Sequence, residues 1–161
     1  MAKSLIPERS IIPALYLPAV DGGVFDSSSY KRKKNLVLFL MTQADRDFLM
    51  RLDQSAYVLR QQNAVIAVIC PSCSEVVGAL YQAHRLSFAV LSDEKREVLR
   101  RFISFAEGEA FAALFITDRY GDVFFEYVAA AARELPPFED MAKSLEFIES
   151  QCPECEGGTY R

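Results

Sequence analysis

The chain has no tryptophan, a single histidine and no apolar run long enough to cross a membrane. The histidine, His84, falls on the apolar stripe of a predicted helix, so we interpret it as a packed side chain and not as part of a nucleophile–histidine–acid set. Apolar runs such as residues 36–41 are strand-sized, whereas a membrane helix needs about 20 apolar residues, and no membrane partner is expected. Glycine and proline number only seven each, which excludes fibrous and low-complexity chains.

An excess of basic residues is missing as well. The chain carries 22 acidic and 18 basic residues, for a net charge of −4, so no general attraction to nucleic acid or to an anionic membrane is expected. We interpret the short basic run at residues 31–34 as a solvated loop, with an anion site as the alternative. Neither a P-loop nor the glycine fingerprint of dinucleotide-binding folds is present, and both of these nucleotide-binding classes are excluded.

The N-terminus lacks the apolar core of a signal peptide, because Pro7, Glu8 and Arg9 interrupt it. We therefore expect a cytoplasmic protein, in which stable structural disulfides are rare. A length of 161 residues fits one domain with a full-sized core. We place this domain at residues 1–150 and treat the polar residues 151–161 as a tail.

Short apolar runs alternate with segments of helical spacing along the chain. The runs are apolar at nearly every position, which predicts strands covered on both faces, as in a parallel sheet packed between helices. A turn at residues 118–121, with Gly121 suited to positive φ, joins the last two strands in a hairpin, and residues 21–23 predict an earlier one. The order predicts an α/β fold with right-handed parallel crossovers and added antiparallel strands. The predicted strands are residues 36–41, 64–69, 88–91, 111–117 and 123–128, and the helical stripes are residues 48–59, 76–84, 98–103 and 141–148. Start signals for the last three helices are Ser74 or Pro71, Asp93, and Pro136 with Pro137.

Several of these segments carry a family pattern. Residues 17–23 form an opening hairpin motif, residues 35–40 form a strand, residues 64–69 form the next strand, residues 88–93 end in Leu-Ser-Asp, and residues 114–123 form a closing hairpin. In this order the chain resembles the peroxiredoxins of the alkyl hydroperoxide reductase/thiol-specific antioxidant family. The resemblance extends over roughly residues 15–150. It implies a thioredoxin-like three-layer α/β/α sandwich with a mixed central sheet and a peroxiredoxin-type N-terminal hairpin.

The chain departs from that family at the catalytic cysteine. The family has a Pro-x-x-x-Thr/Ser-x-x-Cys loop after its strand, whereas residues 41–49 contain neither proline nor cysteine and place Phe48 or Leu49 at about that position. The arginine that the family carries before its closing hairpin would fall near Ala112 and is absent. Peroxide reduction needs a thiolate beside cationic donors. The resemblance therefore implies a redoxin without the usual peroxidase site, and no fast peroxide reduction at residues 42–49.

The four cysteines form two Cys-Pro-x-Cys pairs, which in a reducing compartment indicate redox or metal chemistry. Cys70 and Cys73 follow a predicted strand and open a predicted helix, the arrangement of dithiol oxidoreductases. A helix N-terminus stabilises a thiolate, so we expect Cys70 to be a partly exposed nucleophile with a lowered pKa and Cys73 to resolve the mixed disulfide. Three interpretations stay open: a redox pair, a zinc-binding pair, and inert thiols with Cys70 as a small buried hydrophobe.

The second pair, Cys152 and Cys155, lies in the tail and looks like a zinc knuckle, since two glycines follow it. Two such pairs would supply the four thiolates of a tetrahedral zinc site. However, 78 residues separate Cys73 from Cys152, whereas zinc ribbons space their pairs by about 15–20 residues. A single ion would therefore be shared in space, within a chain or across a homodimer. Alternatively, the tail delivers Cys152 or Cys155 to Cys70 as a resolving thiol.

Two functions follow from the sequence. The first is a divergent redoxin, a thiol–disulfide oxidoreductase that works through Cys70 and Cys73 on a thiol or disulfide protein partner, without a bound cofactor. The second is a non-catalytic thioredoxin-fold interaction module whose cysteines are structural or bind zinc, because a fold does not carry its chemistry with it.

Overall fold

The computed structural model describes residues 1–71, 74–83 and 85–151, without the side chains of residues 74, 76, 81 and 82. Nine strands and four α-helices occupy these described residues, and none of the helices has the length and apolar character of a membrane span. The strands are β1 (Lys3–Ser4), β2 (Tyr16–Pro18), β3 (Val24–Asp26), β4 (Asn35–Met41), β5 (Ala64–Cys70), β6 (Ala89–Ser92), β7 (Ile103–Ser104), β8 (Ala112–Thr117) and β9 (Val123–Ala129). The helices are α1 (Arg46–Arg60), α2 (Ser74–Ala83), α3 (Glu97–Phe102) and α4 (Phe138–Ser150).

Five strands form the central sheet, in the spatial order β6-β5-β4-β8-β9. β4 and β5 are parallel, in a register that runs from Asn35 opposite Ala64 to Leu40 opposite Ile69, and β5 and β6 are also parallel. β8 is antiparallel to β4, and β9 is antiparallel to β8. The predicted parallel neighbours and the predicted late hairpin are therefore both confirmed.

The core has two layers, one on each face of the sheet. Val37 and Phe39 of β4 face the layer formed by α1, α2 and α4. Leu38 and Leu40 face the other layer, which α3 forms together with the N-terminal segment. β4 is buried at all seven positions, which explains its unbroken apolar sequence. The predicted thioredoxin-like three-layer sandwich is confirmed, although its second helical layer is thin and the N-terminal segment completes it.

The N-terminal hairpin of β2 and β3 closes one edge of the sheet. The two strands are antiparallel, as predicted. After the hairpin's first strand, Ala19 forms a bridge with Leu91 of β6, and the Val20 N–H donates to the Val90 carbonyl at 2.8 Å. The hairpin thereby protects part of the outer edge of β6 from pairing with other chains.

The start of α3 differs from its prediction. The N-cap residue is Arg96, with a φ of 58°, and not Asp93. Asp93 nevertheless caps the helix from three residues upstream, because a turn closed by the hydrogen bond from the Arg96 N–H to the Asp93 carbonyl folds the chain back. Its carboxylate accepts the N–H groups of Leu99 at 2.9 Å and Val98 at 3.3 Å. α4 follows Pro137, as predicted.

Candidate functional site

Cys70 is the last residue of β5, at the carboxyl end of the parallel strands. It lies opposite Ser92 of β6, and its carbonyl accepts the Asp93 N–H at 3.1 Å. The neighbouring strand β4 ends at Met41, one position beyond its last pair with β5. α2 follows Cys70 after a short connection. The order of strand, cysteine and helix is the predicted one, at the sheet end where the resembled family has its active site.

The side chain of Cys70 is fully buried, with an exposed fraction of 0 %. The prediction of a partly exposed Cys70 is therefore wrong. The physical reason is the alternation of side chains along β5: Ile69 faces the α3 layer, whereas Cys70 faces the layer of α1 and α2 and joins the apolar cluster that includes Met41 and Val77. An external reagent meets Cys70 only if this packing opens.

Cys70 is disulfide-bonded, and its partner lies outside the described residues. Cys73, Cys152 and Cys155 all lie outside the described residues, as does His84, so the sites predicted at these positions stay predictions. Among the residues that the structure describes, no group of three or more His, Cys, Asp or Glu side chains could hold a metal ion. Since three of the four cysteines are not among them, zinc binding also stays a prediction.

The first turn of α1 occupies the position where the resemblance puts the family's catalytic cysteine. Phe48 and Leu49 are both buried there. Asp45 caps the turn by accepting the Phe48 N–H at 3.0 Å. The hydroxyl of Thr42 accepts the Phe111 N–H at 3.1 Å, and its backbone N–H donates to the Phe111 carbonyl at 3.1 Å. These polar groups hold the backbone, and none of residues 42–49 is a cysteine; the absence of fast peroxide reduction at these residues stays a prediction.

A polar cavity of about 470 Å³ opens at the same end of the sheet, beside the start of α3. Lys95, Arg96 and Arg100 line it. Glu107 and Glu109 also line it. The Ala106 N–H at 2.9 Å and the N-terminal ammonium at 3.3 Å engage the Glu109 carboxylate and hold the pKa of Glu109 below its usual range. The sequence analysis missed this basic cluster. Charged residues after a strand have the same sequence pattern whether they line a cavity or belong to a solvated loop, and only the fold separates the two cases.

α4 runs antiparallel to β4 and ends at the far end of the sheet from Cys70. Phe138, its first residue, lies with its ring centre 5.7 Å from that of Phe48, which belongs to the first turn of α1. Glu149, near the last residue of α4, accepts a 2.7 Å hydrogen bond from Nδ2 of Asn35, the first residue of β4. The last described residues therefore lie at the amino end of the parallel strands.

The comparisons with known proteins agree with this architecture. Residues 9–125 match the AhpC/TSA family. The peroxidoxin BcpB of Mycobacterium tuberculosis is similar in structure, with a TM-score of 0.74 at 16% identity over 89% of this chain and 98% of that one. The reduced 2-Cys peroxiredoxin of Plasmodium vivax has a TM-score of 0.75 at 14% identity, over 93% of this chain and 84% of that one. A Chlorobium tepidum protein assigned as the thiol:disulfide interchange protein DsbE has a TM-score of 0.67 at 15% identity, over 90% of this chain and 99% of that one. Among curated proteins, none matches the sequence.

The structural likenesses, all at low identity, establish the fold, and the family match spans more than half of the chain. The protein is a member of the AhpC/TSA family with a peroxiredoxin-like, thioredoxin-type redox fold.

Proposed function

We propose that this chain is a thiol–disulfide oxidoreductase that uses Cys70 and Cys73. The observation that carries the proposal is the disulfide-bonded state of Cys70, at the end of a parallel strand and ahead of a helix. The structural similarity to a protein assigned as a thiol:disulfide interchange protein supports this class of reaction. A helix N-terminus after the pair favours thiolate formation within it.

The length of the tail supports Cys73 as the partner of Cys70. β5 extends for about 20 Å between its first residue and Cys70, at about 3.3 Å per residue. Gln151 lies near the first residues of the strands, and the four residues from there to Cys155 span no more than about 14 Å. A disulfide requires Cα atoms within about 7 Å, and the straight path crosses the packed core. We infer that Cys152 and Cys155 of the same chain do not reach Cys70.

The burial of Cys70 reverses the roles that the sequence analysis assigned to the pair. In our proposal, the Cys73 thiolate attacks one sulfur of a substrate disulfide, forms a mixed disulfide and releases the first substrate thiolate. The Cys70 thiolate then attacks the Cys73 sulfur, releases the second substrate thiolate and closes the Cys70–Cys73 disulfide. Two electrons thereby pass from the dithiol to the substrate, and an external dithiol reductant restores the pair. Cys70 reacts only with a neighbour in its own chain, so its burial is compatible with this role.

A thiol or disulfide protein stays the proposed partner. The cavity at the same end of the sheet has three basic lining residues, Lys95, Arg96 and Arg100, against two acidic ones. This small basic excess favours acidic groups on the partner, because complementary charge steers association. A cytoplasmic location, a single domain at residues 1–150 and a homodimer stay predictions.

The test uses two variants in which Cys152 and Cys155 are already replaced by serine. With Cys70→Ser, the remaining Cys73 is expected to trap a mixed disulfide with a disulfide-linked peptide. With Cys73→Ser, the remaining Cys70 is expected to react with iodoacetamide at least about tenfold more slowly in the folded protein than in the protein unfolded in urea. A tenfold ratio of rates is equivalent to about 1.4 kcal/mol of protection. Both rates are measured by mass spectrometry of the intact protein.

The parent chain, supplied with a dithiol reductant, should reduce the same peptide, and the double variant of Cys70 and Cys73 should not. Equal activity of these two proteins would refute the redox function. Fast alkylation of folded Cys70, together with slow alkylation of Cys73, would refute only the order of attack.

The burial of Cys70 also favours a second candidate, a non-catalytic interaction module. A cysteine with 0 % exposure inside an apolar cluster behaves as a small hydrophobe. This candidate predicts that the parent and the double variant are equally inactive toward the peptide. Native mass spectrometry with and without a chelator then separates bound zinc from inert thiols.

A further inference from the structure

We propose a second binding site, for a small phosphate monoester, at the end of the sheet opposite to Cys70. A cavity of about 210 Å³ lies there, between the segments that precede β2 and β4 and the turn that joins β8 to β9. Ile12 and Leu36, both buried, form its apolar floor, with Tyr30 beside them. An apolar cavity of about 150 Å³ holds benzene, so there is space for one ring. The proposal is independent of the redox function.

Three basic side chains line this cavity, those of Lys31, Lys34 and Arg119. Neither lysine forms an ion pair with any described residue. Arg119 has a loose contact of 3.8 Å with Oε1 of Glu149, and that oxygen already accepts a 2.7 Å hydrogen bond from Asn35. The positive charge at this end is therefore weakly compensated, although the whole chain carries a net charge of −4.

Asp118 is the only carboxylate among the described lining residues. Its Oδ1 accepts the N–H groups of Tyr120 at 2.9 Å and Asp122 at 3.0 Å, so its charge is engaged by the turn. The remaining cationic excess favours a dianion over a monoanion such as a carboxylate. A phosphate monoester, with a second pKa of about 6, is a dianion for most of its population at neutral pH. An apolar ester group would rest on the floor.

Backbone hydrogen bonds hold the walls of the cavity together. The Arg32 N–H donates to the Arg119 carbonyl at 2.6 Å, and the Ile12 N–H donates to the Gly121 carbonyl at 3.0 Å. These bonds keep the basic loop beside the turn without a ligand. A site assembled in advance loses little conformational entropy on binding, and an anion would offset the repulsion between the clustered cations.

In the test, the full chain is titrated with phenyl phosphate. Separate titrations with inorganic phosphate and with phenol measure the binding of the two parts of that molecule. We expect phenyl phosphate to shift the backbone amide resonances of Leu36 and Gly121 in NMR spectra and to bind about tenfold more tightly than either half. Lys31→Gln and Lys34→Gln should each weaken binding by about fivefold, through the loss of one charge-assisted contact. Lys143→Gln replaces an exposed lysine in the middle of α4; it is the matched control and should leave the affinity unchanged.

Several outcomes would overturn the proposal. Equal affinities for phenyl phosphate and inorganic phosphate would indicate an adventitious ion only. Equal weakening by Lys34→Gln and Lys143→Gln would indicate general attraction by the basic residues of the chain. Resonance shifts confined to other regions would place the ligand elsewhere. Because all three lysines are exposed, their variants should fold like the parent, which circular dichroism checks.

Discussion

At the scale of single residues, Asp93 connects the cysteine-bearing strand to the helix on the opposite face of the sheet. Its side chain is only 4 % exposed. Its backbone N–H donates to the Cys70 carbonyl, and its carboxylate accepts the N–H groups of Val98 and Leu99. A buried carboxylate is tolerated here because two free N–H groups at a helix start satisfy it. Asp93 thus helps to hold the end of β5.

Replacing Asp93 by alanine should lower the free energy of unfolding by about 2 kcal/mol, since two helix N–H groups lose their acceptor. Urea denaturation followed by circular dichroism measures this change. Glu94→Ala is the control, because Glu94 is exposed and its loss should change the stability by no more than about 0.5 kcal/mol. Similar losses for the two variants would show that the Asp93 carboxylate does not stabilise α3.

At the scale of elements, the turn between β8 and β9 is defined by the hydrogen bonds of Asp118 and by the positive φ of Gly121. The Asp118 side chain accepts the N–H groups of Tyr120 and Asp122. Its own backbone N–H donates to the Asp122 carbonyl at 3.0 Å. Gly121 has a φ of +86°. A Cβ at Gly121 would approach Ile11 to 3.6 Å, an ordinary contact, so conformation and not space requires glycine there. This turn sets the register of the hairpin.

Two glycine substitutions should therefore act in opposite directions. Gly121→Ala should destabilise the protein by about 1–2 kcal/mol, the cost of a left-handed conformation for an L-residue. Gly78→Ala should stabilise it by about 0.5–1 kcal/mol, because Gly78 lies in α2 with nothing within 4 Å of an added Cβ and alanine favours helix. Thermal unfolding of the two variants measures both effects, and a shift of the same sign in both would contradict this account.

At the scale of the whole molecule, the topology places Cys70 and the last described residue at opposite ends of the central sheet. Cys70 lies at the carboxyl end of the parallel strands, whereas α4 delivers Gln151 to their amino end. Under the proposed function we therefore expect no disulfide between Cys70 and the tail of the same chain. The resolving and shared-zinc interpretations of Cys152 and Cys155 stay predictions, because both residues lie outside the described part of the chain.

Mild oxidation of the folded monomer at low concentration should give no disulfide between Cys70 and either Cys152 or Cys155. Peptide mapping without reductant, after separation of monomer from dimer, detects such links. The same oxidation in guanidinium chloride is the control, since an unfolded chain is free to form them. A link between Cys70 and Cys155 in the folded monomer would contradict the inference that the tail does not reach Cys70.

The sequence by itself determined the strands of the central sheet, the four helices and their order, but not the short pair β1 and β7; Ile103, predicted as helical, is the first residue of β7. The unbroken apolar run of β4 indicated a strand covered on both faces, and Pro137 marked the start of α4. Gly121 indicated its positive φ. These features depend on a few neighbouring residues, so local patterns carry them. The absence of a thiol from residues 1–69 is likewise a property of the sequence alone, as is the departure from the usual peroxidase motif.

Only the tertiary structure decided exposure and distance. Cys70 is buried because β5 turns its side chain toward the layer of α1 and α2, and no spacing within residues 64–73 specifies which layer covers it. Lys31 and Lys34 share a cavity with Arg119, a residue far along the chain, through pairing of β4 with β8. Burial and proximity arise from contacts between residues distant in sequence, and local periodicity does not encode those contacts.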